Sequence, residues 1–229
     1  MTDTADAAPA FPLLDDTEAR ILGALVEKEA TTPEAYPLTA NAVQLACNQK
    51  TARDPVLDLD AGAVGHALRA LEGRRLVRSV HGARAQRYEH RFAEAYSLTR
   101  QQQALLATLL LRGAQTASEL LARSERLAPV AGGDEARALL ERLQQRGLVV
   151  NMGRGAGQRE DRWMHTLCGP VTAADLPPPR VGADAGAAVR ESRGSTESRS
   201  ARESLEARVE VLEAEVARLA ARLDRIGGD

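Results

Sequence analysis

Aromatic side chains are nearly missing from this chain: two Phe, three Tyr and one Trp stand among 229 residues. A core must therefore rest on Leu, Val and Ala, which favours helices over a large sheet. Cysteine is just as scarce. Cys47 and Cys168 lie far apart and neither has a CxxC partner, which argues against a disulfide framework and a zinc knuckle. Charge of one sign is not in excess either; the net charge of −2 lacks the global signature of a nucleic-acid binder. No apolar run approaches the ~18 residues that a membrane helix needs. The first twelve residues have neither the basic n-region nor the apolar h-region of a signal peptide. A cytoplasmic protein with no membrane partner is expected. No His, Cys or Asp cluster has metal-ligand spacing and no nucleophile has an assignable base, so no metal, cofactor or catalytic residue is expected, and a binding role is favoured over an enzyme.

What is present is a repeat. Arg87-Tyr88-Glu89-His90 and Arg162-Trp163-Met164-His165 share the pattern Arg-aromatic-x-His. Leu76-Val77 and Leu148-Val149 precede them, each after a helical pattern, with Leu68 and Leu71 in one copy and Leu140 and Leu143 in the other. Further upstream, Ile21-Leu22-x-x-Leu25 answers Leu105-Leu106-x-x-Leu109. Helix, helix, helix and hairpin is the order of a winged helix-turn-helix domain. The fold class expected is mainly α with small β-hairpins: tandem winged domains over 15–96 and 97–169. A disordered leader over 1–14 and a Pro, Gly and Ser-rich linker over 170–203 flank them, followed by a coiled-coil helix over 204–227.

Local signals place the elements. Asp15-x-x-Glu18, Thr99-x-x-Gln102 and Thr116-x-x-Glu119 have capping-box spacing. Asp60 and Asp134 mark the starts of the third helices. Pro33 ends the first helix near Thr31-Thr32. The second helix runs from about Thr39 with Val43, Leu45 and Ala46 inward, and a short extended piece is expected over Val56 to Leu59. Tyr88 and Trp163 are expected to pack between hairpin and first helix. Because each module is small, the two are expected to pack together.

The candidate binding residues follow from the fold. A third helix in a DNA major groove reads bases through its N-terminal residues, but here those ends carry Asp60 or Asp134-Glu135, which repel phosphate. The wings offer more: Arg84, Arg87, Arg154, Arg159 and Arg162, with glycines 153, 155 and 157 allowing close backbone approach. Residues 97–169 hold 10 basic against 7 acidic side chains, whereas 15–96 hold 11 against 12. The polar stretch after the second helix adds Lys50 and Arg53 as candidate nucleic-acid contacts and Asn48 and Gln49 as a candidate partner loop, beside the plainer reading of a capped loop. Leu205, Val209, Leu212, Val216, Leu219, Leu223 and Ile226 keep 4-3 spacing, the seam of a weak parallel homodimer.

Residues Glu27-Lys28-Glu29, Thr31-Thr32-Pro33, Tyr36-Pro37-Leu38, Cys47-Asn48-Gln49-Lys50, Tyr88-Glu89-His90-Arg91-Phe92, Leu110-Leu111-Arg112-Gly113 and Gly157-Gln158-Arg159-Glu160 resemble the YceH family of uncharacterised bacterial proteins. The resemblance covers about two-thirds of the chain. It implies a tandem winged-helix fold and no established activity, so it assigns no site residue. The expected function is DNA association as a dimer, in the manner of a transcriptional regulator, with double-stranded DNA as partner. The alternative is a protein-interaction scaffold, similar in architecture to the condensin subunit ScpB.

Overall fold

The computed structural model describes residues 11, 13–81, 85–154 and 158–171, all within one compact unit. Among them are seven α-helices and two three-stranded antiparallel sheets. The first half runs α1 (Asp16–Thr31), β1 (Leu38–Thr39), α2 (Ala40–Cys47), α3 (Ala61–Gly73), β2 (Val77–His81) and β3 (Gln86–His90). A one-turn helix, α4 (Phe92–Ala95), leads to the second half: α5 (Arg100–Arg112), β4 (Gln115–Thr116), α6 (Ala117–Ser124), α7 (Gly133–Gln145), β5 (Val149–Gly153) and β6 (Arg162–His165).

The two halves repeat in register as well as in order. The sheets are arranged β1-β3-β2 and β4-β6-β5. Tyr88 faces Leu38 and Ser79 across its neighbours, and Trp163 faces Gln115 and Asn151. His90 opposes Val77, and His165 opposes Val149. The second hairpin adds an irregularity between Asn151 and Gly153, consistent with its longer connection. One arginine recurs at the end of each third helix and holds the entry to the first helix of its own half: Arg74 Nη1 donates to Leu13 O at 2.8 Å, and Arg146 Nη1 to Ser97 O at 3.2 Å.

All three capping boxes form. Asp60 caps α3 by accepting from the Ala63 amide at 2.9 Å. Asp134 does not cap α7, which begins one residue earlier after Gly132 and has no side-chain cap; Glu135 instead holds the incoming chain, accepting from the Ala131 amide at 2.6 Å.

The core is continuous across both halves. In α1 every residue from Glu18 to Val26 is buried, and in α5 every residue from Ala104 to Leu111. A helix buried all round is covered on every face, because each packs on its own half and also on the other. Gly23 allows the approach: a Cβ there would lie 2.9 Å from Leu111 Cγ and 3.2 Å from Leu110 Cβ.

Three expectations need correction. Leu45 points outward at 64% exposure, and Cys47 takes the buried place instead. Periodicity in an eight-residue helix does not decide between adjacent positions. The piece expected over Val56 to Leu59 pairs with no strand and is held by Asn48, which donates to Leu59 O and accepts from Leu59 N, both at 2.9 Å. The leader surrenders its last residues to the fold: Leu14 is buried with its amide bonded to Leu167 O at 2.8 Å, and the Phe11 ring lies 4.9 Å from that of Tyr96. Each sheet also has a third, two-residue strand beyond the expected hairpin. The linker from residue 172 onward and the heptad seam from Leu205 to Ile226 lie outside the described residues.

Candidate functional site

The arginine of each tetrad is first a structural residue. Arg87 Nη1 donates to Pro37 O at 2.7 Å and Ala35 O at 3.3 Å; Arg162 Nη1 donates to Ala114 O at 2.9 Å. Each therefore ties its strand to the chain just before the short strand that it pairs with. Their charges differ in consequence. Arg87 is exposed and bonded only to carbonyls, so its charge stays uncompensated. Arg162 is also 3.3 Å from Glu119 and bonded to Gln158, with a largely buried side chain.

The polar stretch after α2 is an internal fastening. The Arg53 side chain is fully buried. It donates to Ala46 O, to Gln49 Oε1 and to both oxygens of Glu27, the closest at 2.5 Å. Burial removes Arg53 from any external surface, and Gln49 spends its acceptor inside. The same loop joins the halves, since the Asp54 amide donates to Leu111 O at 2.9 Å, and Arg20 Nη2 of α1 holds the loop in place by donating to Pro55 O at 2.7 Å. Asn48 is likewise committed to Leu59. Of the candidate residues in this stretch, Lys50 alone is exposed and bonds nothing among the described residues. Arg84 lies outside the described residues.

The matching histidines have unlike surroundings. His90 Nδ1 accepts from the Phe92 amide at 3.3 Å, which leaves Nε2 to bond Glu29 at 2.9 Å. His165 is buried with Nδ1 unpartnered, and burial pushes its imidazole down to about 4. Burial pushes the Cys47 thiol up to about 12, the state of an inert core thiol. Trp163 is a core residue and Tyr88 packs at the core edge, β3 lying against α1 and β6 against α5. No group of acids, histidines and cysteines among the described residues fits a metal ion.

A cleft of about 360 Å³ opens between α7 and the second hairpin. Arg137, Glu141 and Gln144 come from α7; Asn151, Arg154, Arg159, Glu160 and Asp161 come from the hairpin. Leu139, Leu140 and Leu143 point inward, and that sets Arg137, Glu141 and Gln144 outward on the opposite face. The hairpin acids are partly engaged. Asp161 meets Arg154 at 3.1 Å and Asn151 at 3.2 Å, and Glu160 accepts from Ser118 Oγ at 2.8 Å. Arg137 and Arg159 are exposed and unpaired among the described residues, as is Arg142 further along α7. The hairpin arginines are foreseeable from the sequence, whereas Arg137 stands in no motif. Its one signal is a place on the solvent face of an amphipathic helix.

The family model described as a protein of unknown function, DUF480, matches residues 14–158. The UPF0502 protein Smlt0097 of Stenotrophomonas maltophilia (strain K279a) is 55% identical over 228 residues, 100% of each chain. The UPF0502 protein XAC4278 of Xanthomonas axonopodis pv. citri (strain 306) is 51% identical over 94% of this chain and 96% of its own. The UPF0502 protein XCV4380 of Xanthomonas euvesicatoria pv. vesicatoria (strain 85-10) is 59% identical over 72% and 74%. Among the described residues no helix is long and apolar enough to cross a membrane.

Proposed function

We propose that this chain, which belongs to the DUF480 family of uncharacterised bacterial proteins, is a tandem winged helix-turn-helix protein that binds double-stranded DNA through its second half. The observation that carries the reading is the cleft between α7 and the hairpin, where Arg137, Arg154 and Arg159 gather from two elements. In this reading α6 and α7 form the helix-turn-helix, with α7 in the major groove and the β5–β6 hairpin as the wing. Arg154 and Arg159 neutralise phosphates and release counterions. Arg137 and Gln144 have the chemistry to read guanine and adenine edges. Lys50 and Arg87 extend the positive surface on the first half. The role is one of binding rather than catalysis, in the cytoplasm, as a dimer joined by the C-terminal seam, in the manner of a transcriptional regulator. The likeness to the YceH family belongs to the same reading.

A second reading, a protein-interaction scaffold like ScpB, is favoured by the outward Leu45 and Val56 and by the acids at the third-helix starts. Affinity capture of the full chain from its native cell, with and without nuclease, separates the two. Under the DNA reading nucleic acid co-purifies and nuclease strips the associated material. Proteins retained at stoichiometric levels after nuclease, with no nucleic acid captured, would overturn it.

A further inference from the structure

The first half carries a second cationic cleft that the DNA reading does not use. It measures about 570 Å³ and lies between the end of α3, β2 and α4, bordered by Glu72, Arg74, Arg75, Arg78, Arg91 and Glu94. The repeat shows which of these charges the fold requires. Arg74 has its counterpart in Arg146, which does the same anchoring work. Arg75, Arg78 and Arg91 occupy the positions that Gly147, Val150 and Thr166 fill in the second half. The second half therefore forms the same elements without those three cations.

Arg75 is the most telling of them. It adopts a φ of 59°, and Gly147 adopts 70° at the same post-helical position, with Leu76 and Leu148 closing the same backbone bond to Leu71 and Leu143. That conformation suits glycine and strains a residue with a Cβ. Arg75 is nonetheless exposed, and its side chain bonds nothing among the described residues. Arg78 bonds Glu89 at 2.6 Å through one terminal nitrogen; Arg91 bonds Glu94 at 2.7 Å through one terminal nitrogen, and its Nε lies 3.8 Å from the same Glu89. Each keeps other N–H groups of its five-donor fork unused. Glu72 is turned inward on the Ser79 amide at 3.1 Å and on the Ser79 hydroxyl.

We propose that this cleft is a phosphate-recognition site, taking the oxygens of a phosphate ester or polyphosphate on Arg75, Arg78 and Arg91. Planar guanidinium forks match such oxygens bidentately. The phosphate comes either from a nucleic-acid backbone or from a free polyphosphate. The full chain is titrated at low salt with inorganic tripolyphosphate, and separately with a duplex competing, while arginine Nε–H resonances are followed by NMR. Saturable shifts at these three arginines are expected. Competition by duplex identifies a backbone phosphate; its failure to compete identifies a free anion. Replacing Arg75→Gly, Arg78→Val and Arg91→Thr, the residues of the second half, should weaken binding roughly 10-fold or more. Arg75→Gly alone should weaken binding while leaving the melting temperature equal or higher, so loss of binding is separable from loss of fold. In the variant lacking Arg137 and Arg159 the shifts at Arg75, Arg78 and Arg91 should still saturate as in the parent, whatever tripolyphosphate the α7 cleft no longer takes, which keeps the two sites distinguishable. No saturable response in the parent, or an equal response in the triple variant, would overturn the proposal.

Discussion

Replacing Gly23 by alanine sets two opposed effects against each other. In an isolated helix the change would stabilise by about 1 kcal/mol, because glycine is the poorer helix former. Here the new Cβ falls 2.9 Å from Leu111 Cγ, 3.1 Å from Leu111 Cδ2 and 3.2 Å from Leu110 Cβ. The Leu111 side chain can turn away in part. Leu110 Cβ is fixed to the α5 backbone, so α1 and α5 must part by a few tenths of an ångström along the contact that unites the halves. Overpacking of this kind costs about 1–3 kcal/mol. The packing cost wins, and Gly23→Ala should lose about 1 kcal/mol net, or about 2–4 °C in melting temperature for a chain of this size. Gly23→Val adds two more methyl groups and a β-branch, and should lose about 3 kcal/mol. In the double variant with Leu111→Ala, which removes two of the three close contacts and leaves Leu110 Cβ in place, the penalty at position 23 should shrink but not vanish, a coupling of about 1 kcal/mol. Urea denaturation followed by circular dichroism measures all four corners of the cycle. If Gly23→Ala raises stability by the full helix-propensity gain, the close helix contact is refuted.

Two further perturbations probe the buried polar groups. Glu27→Ala strands the buried Arg53 guanidinium and should destabilise by about 3 kcal/mol, with Glu27→Gln milder because an acceptor remains; equal denaturation midpoints for parent and Glu27→Ala would contradict the buried pair. His165 has a folded pKa depressed to about 4 against 6.5, so the unfolded chain binds its proton first as pH falls. Its contribution is fully present above pH 6.5 and lost down to about 4, amounting to about 3 kcal/mol. Denaturation midpoints across that window should fall more steeply for the parent than for His165→Gln, and parallel curves would reject the assignment.

Local chemistry is legible in the sequence and long-range partnership is not. The capping boxes at Asp15, Thr99 and Thr116 form because both partners sit three residues apart on one turn. The repeat is legible because Arg87 and Arg162 recur on the same strand in both halves. The two-residue strands Leu38–Thr39 and Gln115–Thr116 are too short to alternate, and only their pairing with β3 and β6 reveals them. Arg53 reads as a surface cation because its partner Glu27 lies 26 residues earlier, on α1. Arg162 has its charge met by Glu119 of α6, 43 residues earlier. Arg154 and Arg159 are legible as exposed residues, but Arg137 joins them only once α7 packs beside the hairpin. Arg75 stands in no motif at all; its interest comes from a backbone angle and from the glycine that replaces it in the other half.

The central claim is that the second half presents a DNA-binding surface on α7 and its hairpin. Fluorescence anisotropy of a labelled duplex, titrated with full-length protein between about 50 and 200 mM salt, tests it directly. The account predicts binding at low salt that weakens as salt rises. Arg137→Ala, Arg154→Ala and Arg159→Ala together should reduce the log–log salt slope by about 0.9 for each phosphate no longer neutralised. The part due to phosphate neutralisation should be uniform across duplex sequences. A parent protein that fails to bind duplex at low salt, or a triple variant with the parent's affinity and slope, would contradict it.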